Sequence, residues 1–96
     1  MDYVKILRNA LAQPYSTARA TGCGRVYVAI STPHRRGIKA AAQKLGIRYL
    51  GSESQCPNAL YVGYDNATGI ELGKGAAIAD ALKAAGVECY RDEFDD

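Results

Sequence analysis

Two stretches of this chain alternate apolar side chains with a period of two, and each precedes an alanine-rich stretch that ends in glycine. The first is RVYVAIS, residues 25–31: Val26, Val28 and Ile30 fall on one side, Arg25, Tyr27 and Ala29 on the other. Thr32 and Pro33 follow, a capping hydroxyl and a proline suited to the first helical position. Helical spacing then carries Ile38, Ala41, Ala42 and Leu45 to a stop at Gly46. The second stretch is ALYVGY, residues 59–64, with Leu60 and Val62 opposite Tyr61. Its helix is predicted over residues 75–85, with Ile78, Ala81, Leu82 and Ala85 inward and Gly86 as the stop. The preceding glycine-rich LGKG, residues 72–75, reads as a flexible approach to that helix. A short strand is predicted after each helix, over residues 47–50 and 87–91. Two strand–helix–strand units joined by short connections leave few ways to bury each helix's single apolar stripe.

The order β-α-β-β-α-β predicts an α+β, ferredoxin-like fold: one antiparallel sheet with both helices on one face. Its first and third strands are then central and its second and fourth are edges. A further amphipathic helix is predicted over residues 2–12, with Tyr3, Ile6, Leu7, Ala10 and Leu11 on one side and Lys5, Arg8 and Asn9 on the other. Pro14 interrupts it, and PYSTARATG (residues 14–22) either restarts the helix or links it to the core. Ninety-six residues make a single domain. It divides into an N-terminal helical extension (1–22), the ferredoxin-like core (25–91) and an acidic tail (92–96) expected to fray.

Charge is divided between the two halves. Residues 1–50 hold nine basic residues and one acid, a net +8, whereas residues 51–96 hold three basic residues and nine acids, a net −6. The formal +2 of the whole chain conceals this. Charge asymmetry of this kind bears on partners and not on fold. In the predicted topology Arg35, Arg36, Lys39, Lys44 and Arg48 gather on one flank. Asp80, Glu88, Asp92, Glu93 and the tail gather on the other.

The face of the sheet away from the helices is the second candidate surface. Tyr27 and Tyr61 point there from adjacent central strands, and Arg25 and Tyr90 join them. Three occupants suit it: the N-terminal helix, which must bury Ile6, Leu7 and Leu11 somewhere; a protein partner; or unstacked bases of RNA or single-stranded DNA. The basic-Gly-aromatic run of the RNA-recognition domain is absent from ALYVGY.

Catalytic and metal chemistry find little support. Cys23, Cys56 and Cys89 lack C-x-x-C spacing and read as reduced thiols, and one histidine does not make a usual zinc site. No cofactor is expected. STPHRRG, residues 31–37, places His34, Arg35 and Arg36 in a helical first turn that suits an anion. Acylphosphatases are ferredoxin-like proteins of this length that hold phosphate in the loop after the first strand. This chain resembles them in size and topology, but their glycine- and valine-rich loop ending in arginine, and their second-strand asparagine, are missing here. No apolar run reaches the ~20 residues of a membrane span, and the N-terminus interleaves charges with apolar residues, unlike a secretory signal.

These features predict a small non-enzymatic, cytoplasmic binding or inhibitor protein, of a type often encoded by phages and mobile elements. It would dock its basic flank, with help from the sheet tyrosines, on an acidic or nucleic-acid-binding surface of a host protein or nucleoprotein complex. The alternatives are direct binding to RNA or single-stranded DNA and, on the acylphosphatase resemblance, a phosphate-handling enzyme. No membrane partner is expected. Head-to-tail self-association through the opposite flanks is a further option.

Overall fold

The computed structural model describes residues 1–14, 23–54 and 56–95. Residues 15–22, read above as a restarted helix or a linker, lie outside the described residues.

Strand β1 (Cys23–Ile30) is paired along both edges. Strand β3 (Ala59–Asn66) runs antiparallel on one side and β4 (Cys89–Asp95) antiparallel on the other. The three-residue β2 (Arg48–Leu50) pairs antiparallel with the outer side of β3. The order is β2-β3-β1-β4, so β1 and β3 are central and β2 and β4 are edges. Val26 pairs with Gly63 and Tyr27 with Tyr61, a bulge that leaves Val62 unmatched on β3. Three α-helices and this four-stranded antiparallel sheet, counted among the described residues, make the molecule an α+β protein.

One sheet face carries Val28, Ile30 and Leu60 into a core completed by Ile38, Ala41 and Ala42 of α2 (Arg35–Leu45) and Ile78, Ala79 and Leu82 of α3 (Ile70–Ala84). A 3-10 turn, Thr32–His34, leads into α2 with Pro33 where proline is tolerated, but Thr32 is not the expected cap: it lies inside the turn, and Ser31 stands at the cap position with no side-chain cap hydrogen bond. Gly46 ends α2 at φ +73°, and Ile47 N–H donates to Ala42 O at 2.9 Å to close the turn.

Helix α1 (Tyr3–Ala12) does not cover the bare sheet face. It packs against both α2 and α3 and places Leu7 and Ala10 in the main core. Asp2 caps it by accepting from Lys5 N–H at 3.0 Å. The Tyr3 ring lies over Gly37 of α2, where a Cβ would occupy the ring's place, and Tyr3 Oη is hydrogen-bonded to His34 Nδ1 at 2.7 Å. The stripe is narrower than the periodicity predicts, because Leu11 is 42% exposed.

Helix α3 begins five residues before its predicted start, so the LGKG stretch is helix and not a flexible approach to one. Gly73 and Gly75 are both buried within it. A Cβ on Gly75 would lie 2.9 Å from Val26 Cγ1, so glycine lets α3 approach β1 closely. The helix is started by Asp65, which is 2% exposed at the end of β3. Its Oδ1 accepts from Thr68 N–H at 2.9 Å and Gly69 N–H at 3.0 Å, and its Oδ2 accepts from Leu72 N–H at 3.2 Å. Burial works against the charged carboxylate, yet backbone N–H donors from Gly69, Leu72, Thr68 and Glu71 hold its pKa below the ordinary value.

The last strand also differs from expectation. It starts at Cys89 and runs through Asp95, so Asp92, Glu93 and Asp95 are strand residues paired with β1 rather than a fraying tail. Among the described residues, no helix is long and apolar enough to cross a membrane.

Candidate functional site

The far face of the sheet begins from the same alternation that builds the core. The register sets Asp92, Tyr27, Tyr61 and Arg48 side by side across β4, β1, β3 and β2. One row across the sheet thus passes from an acid at one edge to a base at the other, with two tyrosines between. The neighbouring row is Tyr90, Ala29, Ala59 and Leu50. Its two central alanines are small enough for the loop between β2 and β3 to lie on the sheet, where Cys56 packs with Tyr27, Ala29 and Ala59. Ser54 Oγ holds that loop in shape, 2.9 Å from the carbonyl oxygens of both Gly51 and Cys56.

The loop covers only part of the face. Beside it a cleft of about 260 Å³ is lined by Arg25, Tyr27, Arg48, Leu50, Ser54 and Tyr61. Tyr27 is its floor: only 4% of the residue is exposed, and its ring packs against Tyr61 at 5.4 Å between centroids, tilted by 46°. Tyr61 and Arg25 are half-buried and Arg48 is exposed. Arg25 is engaged within the protein. None of the described residues lining the cleft is acidic, and Asp92 stands next to Tyr27 at the edge of the same row.

The structure re-sorts the residues that the sequence singles out. Arg48, predicted with the basic flank, shares the cleft with Arg25, Tyr27 and Tyr61 of the sheet face. Tyr90, predicted with those tyrosines, is 59% exposed and borders a different groove with Arg35 and Glu88. Arg35 is half-buried there and donates its Nε–H to Ile30 O at 2.8 Å, so part of its guanidinium is committed to the backbone. Arg36, Lys39 and Lys44 remain exposed on α2. They belong to one stripe (residues 36, 39, 40, 43 and 44 are all exposed) about 12 Å long at 1.5 Å per residue. Between Asp2 and Glu53 the chain contains no acid at all, so nothing on α2 or β2 offsets these charges. The opposite flank is less uniform, since exposed Glu88 lies in the same groove as Arg35.

Among the described residues, the remaining thiols and the histidine serve packing and hydrogen bonding. Burial, with Asp92 adding to it, pushes the Cys56 thiol up, and burial likewise pushes up Cys89, whose Sγ lies 3.5 Å from Ala79 O. A buried thiol held protonated is a poor nucleophile. His34 is occupied by Tyr3. Among the described residues, no group of three or more His, Cys, Asp or Glu side chains is placed to hold a metal ion. Sequence reading missed Ser54 and Leu50 in the cleft and Asp65 beneath α3. Only Asp65 has a local signal, an aspartate followed at three and four residues by Thr68 and Gly69. No protein family, curated protein or solved structure matches this chain.

Proposed function

We propose that this chain is a non-enzymatic binding protein with a ferredoxin-like core that acts by occupying an acidic surface of a protein or nucleoprotein complex. The strand order β2-β3-β1-β4, with α2 and α3 on one face, supports the ferredoxin-like reading of the core. The α2 stripe of Arg36, Lys39 and Lys44, with no acid between Asp2 and Glu53 to compensate it, carries the functional reading. Such a surface speeds encounter with an acidic partner and rejects basic ones. Small chains of this type, as phages and mobile elements often encode, work in the cytoplasm as inhibitors by covering a site that their target needs.

The test is capture from a lysate of the producing cells with the tagged chain as bait, in nuclease-treated and untreated halves. A protein retained equally in both halves and released by raised salt is the expected result. Recovery of nothing but nucleic acid, lost on nuclease treatment, contradicts this reading.

A second reading, direct binding of RNA or single-stranded DNA, is favoured by the tyrosine and arginine side chains that meet on the bare sheet face. It predicts an affinity that falls steeply with salt as phosphate contacts release counterions.

A further inference from the structure

We propose that the cleft on the bare sheet face binds a single nucleotide, with its phosphate between Arg25 and Arg48 and its base against Tyr61. This rests on the second reading above and names the unit which that reading binds. Three features of the cleft select this ligand class.

The first is charge. Arg25 on β1 and Arg48 on β2 lie on strands ~10 Å apart, with the central strand β3 between them, and are offset by three positions along it, Arg25 opposite Tyr64 and Arg48 opposite Tyr61. Both side chains border the same cleft, so two planar guanidiniums face one volume. Arginine forks match phosphate oxygens in bidentate fashion, and a dianionic phosphate satisfies two of them.

The second is the aromatic wall. Tyr61 lies directly across from Arg48 in the β2–β3 register and from Tyr27 in the β1–β3 register. Tyr27 packs against its ring from below and fixes it. A ring held in this way receives a base with little further loss of freedom, and stacking on tyrosine is tolerant of base identity. The site therefore reads size and charge and is nearly blind to sequence.

The third is size. A cleft of about 260 Å³ is bounded on one side by the Ser54 loop and closed below by Tyr27. That is slightly under the ~300 Å³ at which ligand pockets begin, enough for one nucleotide and too little for two. A chain of nucleotides would place one unit in the cleft and leave the others to follow the exposed Arg48 edge.

The experiment titrates uridine 5′-monophosphate, uridine, inorganic phosphate and hexathymidylate into the full chain at low salt and follows amide chemical shifts. The nucleotide is expected to bind one per chain, with the largest shifts at Arg25, Tyr27, Arg48 and Tyr61. Uridine and inorganic phosphate are expected to bind about tenfold more weakly or worse, because each keeps only one part of the recognition. Arg48→Ala, exposed on an edge strand, weakens nucleotide binding by about tenfold or more. Arg25→Gln does the same in a sample whose spectrum shows an intact fold. Lys39→Glu with Lys44→Glu, outside the cleft, leaves nucleotide binding within about twofold in moderate salt.

Inorganic phosphate binding as tightly as the nucleotide, or Arg48→Ala binding the nucleotide unchanged, overturns the site. Hexathymidylate separates this failure from that of the underlying reading. Oligonucleotide binding that survives Arg48→Ala but is lost with Lys39→Glu and Lys44→Glu keeps nucleic-acid binding and overturns the cleft. Nucleotide binding without oligonucleotide binding supports the cleft with a free nucleotide as its ligand. Failure of both overturns both.

Discussion

The two faces of the sheet are built from the same strands and do different work. On the helix side, β1 and β3 present Val26, Val28, Ile30, Leu60 and Val62, branched aliphatic side chains that three helices close over. On the other side the same strands present Tyr27, Ala29, Ala59 and Tyr61, and one loop covers only part of them. The aliphatic face is selected for packing density. The tyrosine–alanine face leaves space, and the space is bordered by arginine. A period-two strand with apolar residues at nearly every position is thus not buried twice in the same sense. The chemistry of its second face decides whether that face is core or site.

The largest expected effect tests the closed face. Leu60 is fully buried there, and Leu60→Ala is expected to lower unfolding stability by about 2–5 kcal/mol in urea titration. Leu50 on the adjacent strand β2 is half-buried beside the cleft, and Leu50→Ala is expected to lower stability by no more than about 1.5 kcal/mol. Equal losses at the two positions would break the comparison.

Gly75→Ala follows in size. Alanine is favoured over glycine in a helix by up to ~1 kcal/mol, but the added methyl meets stiff Val26 at 2.9 Å. Overpacking of ~1–3 kcal/mol is expected to win, so thermal unfolding should show a net loss of stability. A gain would mean that α3 has room to move off the sheet.

Acid sharpens the contrast from the side of α3. Asp65 has a folded-state pKa below the ordinary value near 3.9. Its unfolded form therefore takes up a proton before the folded form does as pH falls. Its stabilisation is full above that ordinary value and is lost as pH drops through the folded pKa. Melting temperatures from pH 7 to pH 2.5 are expected to fall most steeply below about pH 4, and Asp65→Asn is expected to flatten that fall while lowering the melting temperature at pH 7.

Much of the architecture was legible in the sequence, and the reasons for the misses are physical. Alternation placed β1 and β3, and Pro33 and Gly46 bounded α2 to within a 3-10 turn. Glycine is read locally as a breaker, so the start of α3 was misplaced. Gly75 is there because β1 comes close, a tertiary fact that spacing does not contain. The acidic run after Arg91 looked too charged to order, yet β1 is long enough to pair with it through Gly24 and Asp95. The stripe on α1 showed that it buries something but not what, since Gly37 as a seat for Tyr3 is visible only once both helices are placed. At the candidate site, the adjacency of Tyr27 and Tyr61 was readable from the pattern. The inclusion of Arg48 and the exclusion of Tyr90 depend on register, which pairs Arg48 with Tyr61 and sets Tyr90 in the next row beside Ala29.

The central claim, that the basic stripe of α2 is the docking surface, is tested most directly by Arg36→Glu, Lys39→Glu and Lys44→Glu combined in one variant. All three side chains are exposed, so each is expected to change stability by no more than about 0.5 kcal/mol, and the fold should survive. Used as bait beside the original chain in nuclease-treated lysate, the variant is expected to lose the captured protein entirely. Capture undiminished by three reversed charges, in a chain with an unchanged fold, would contradict the account.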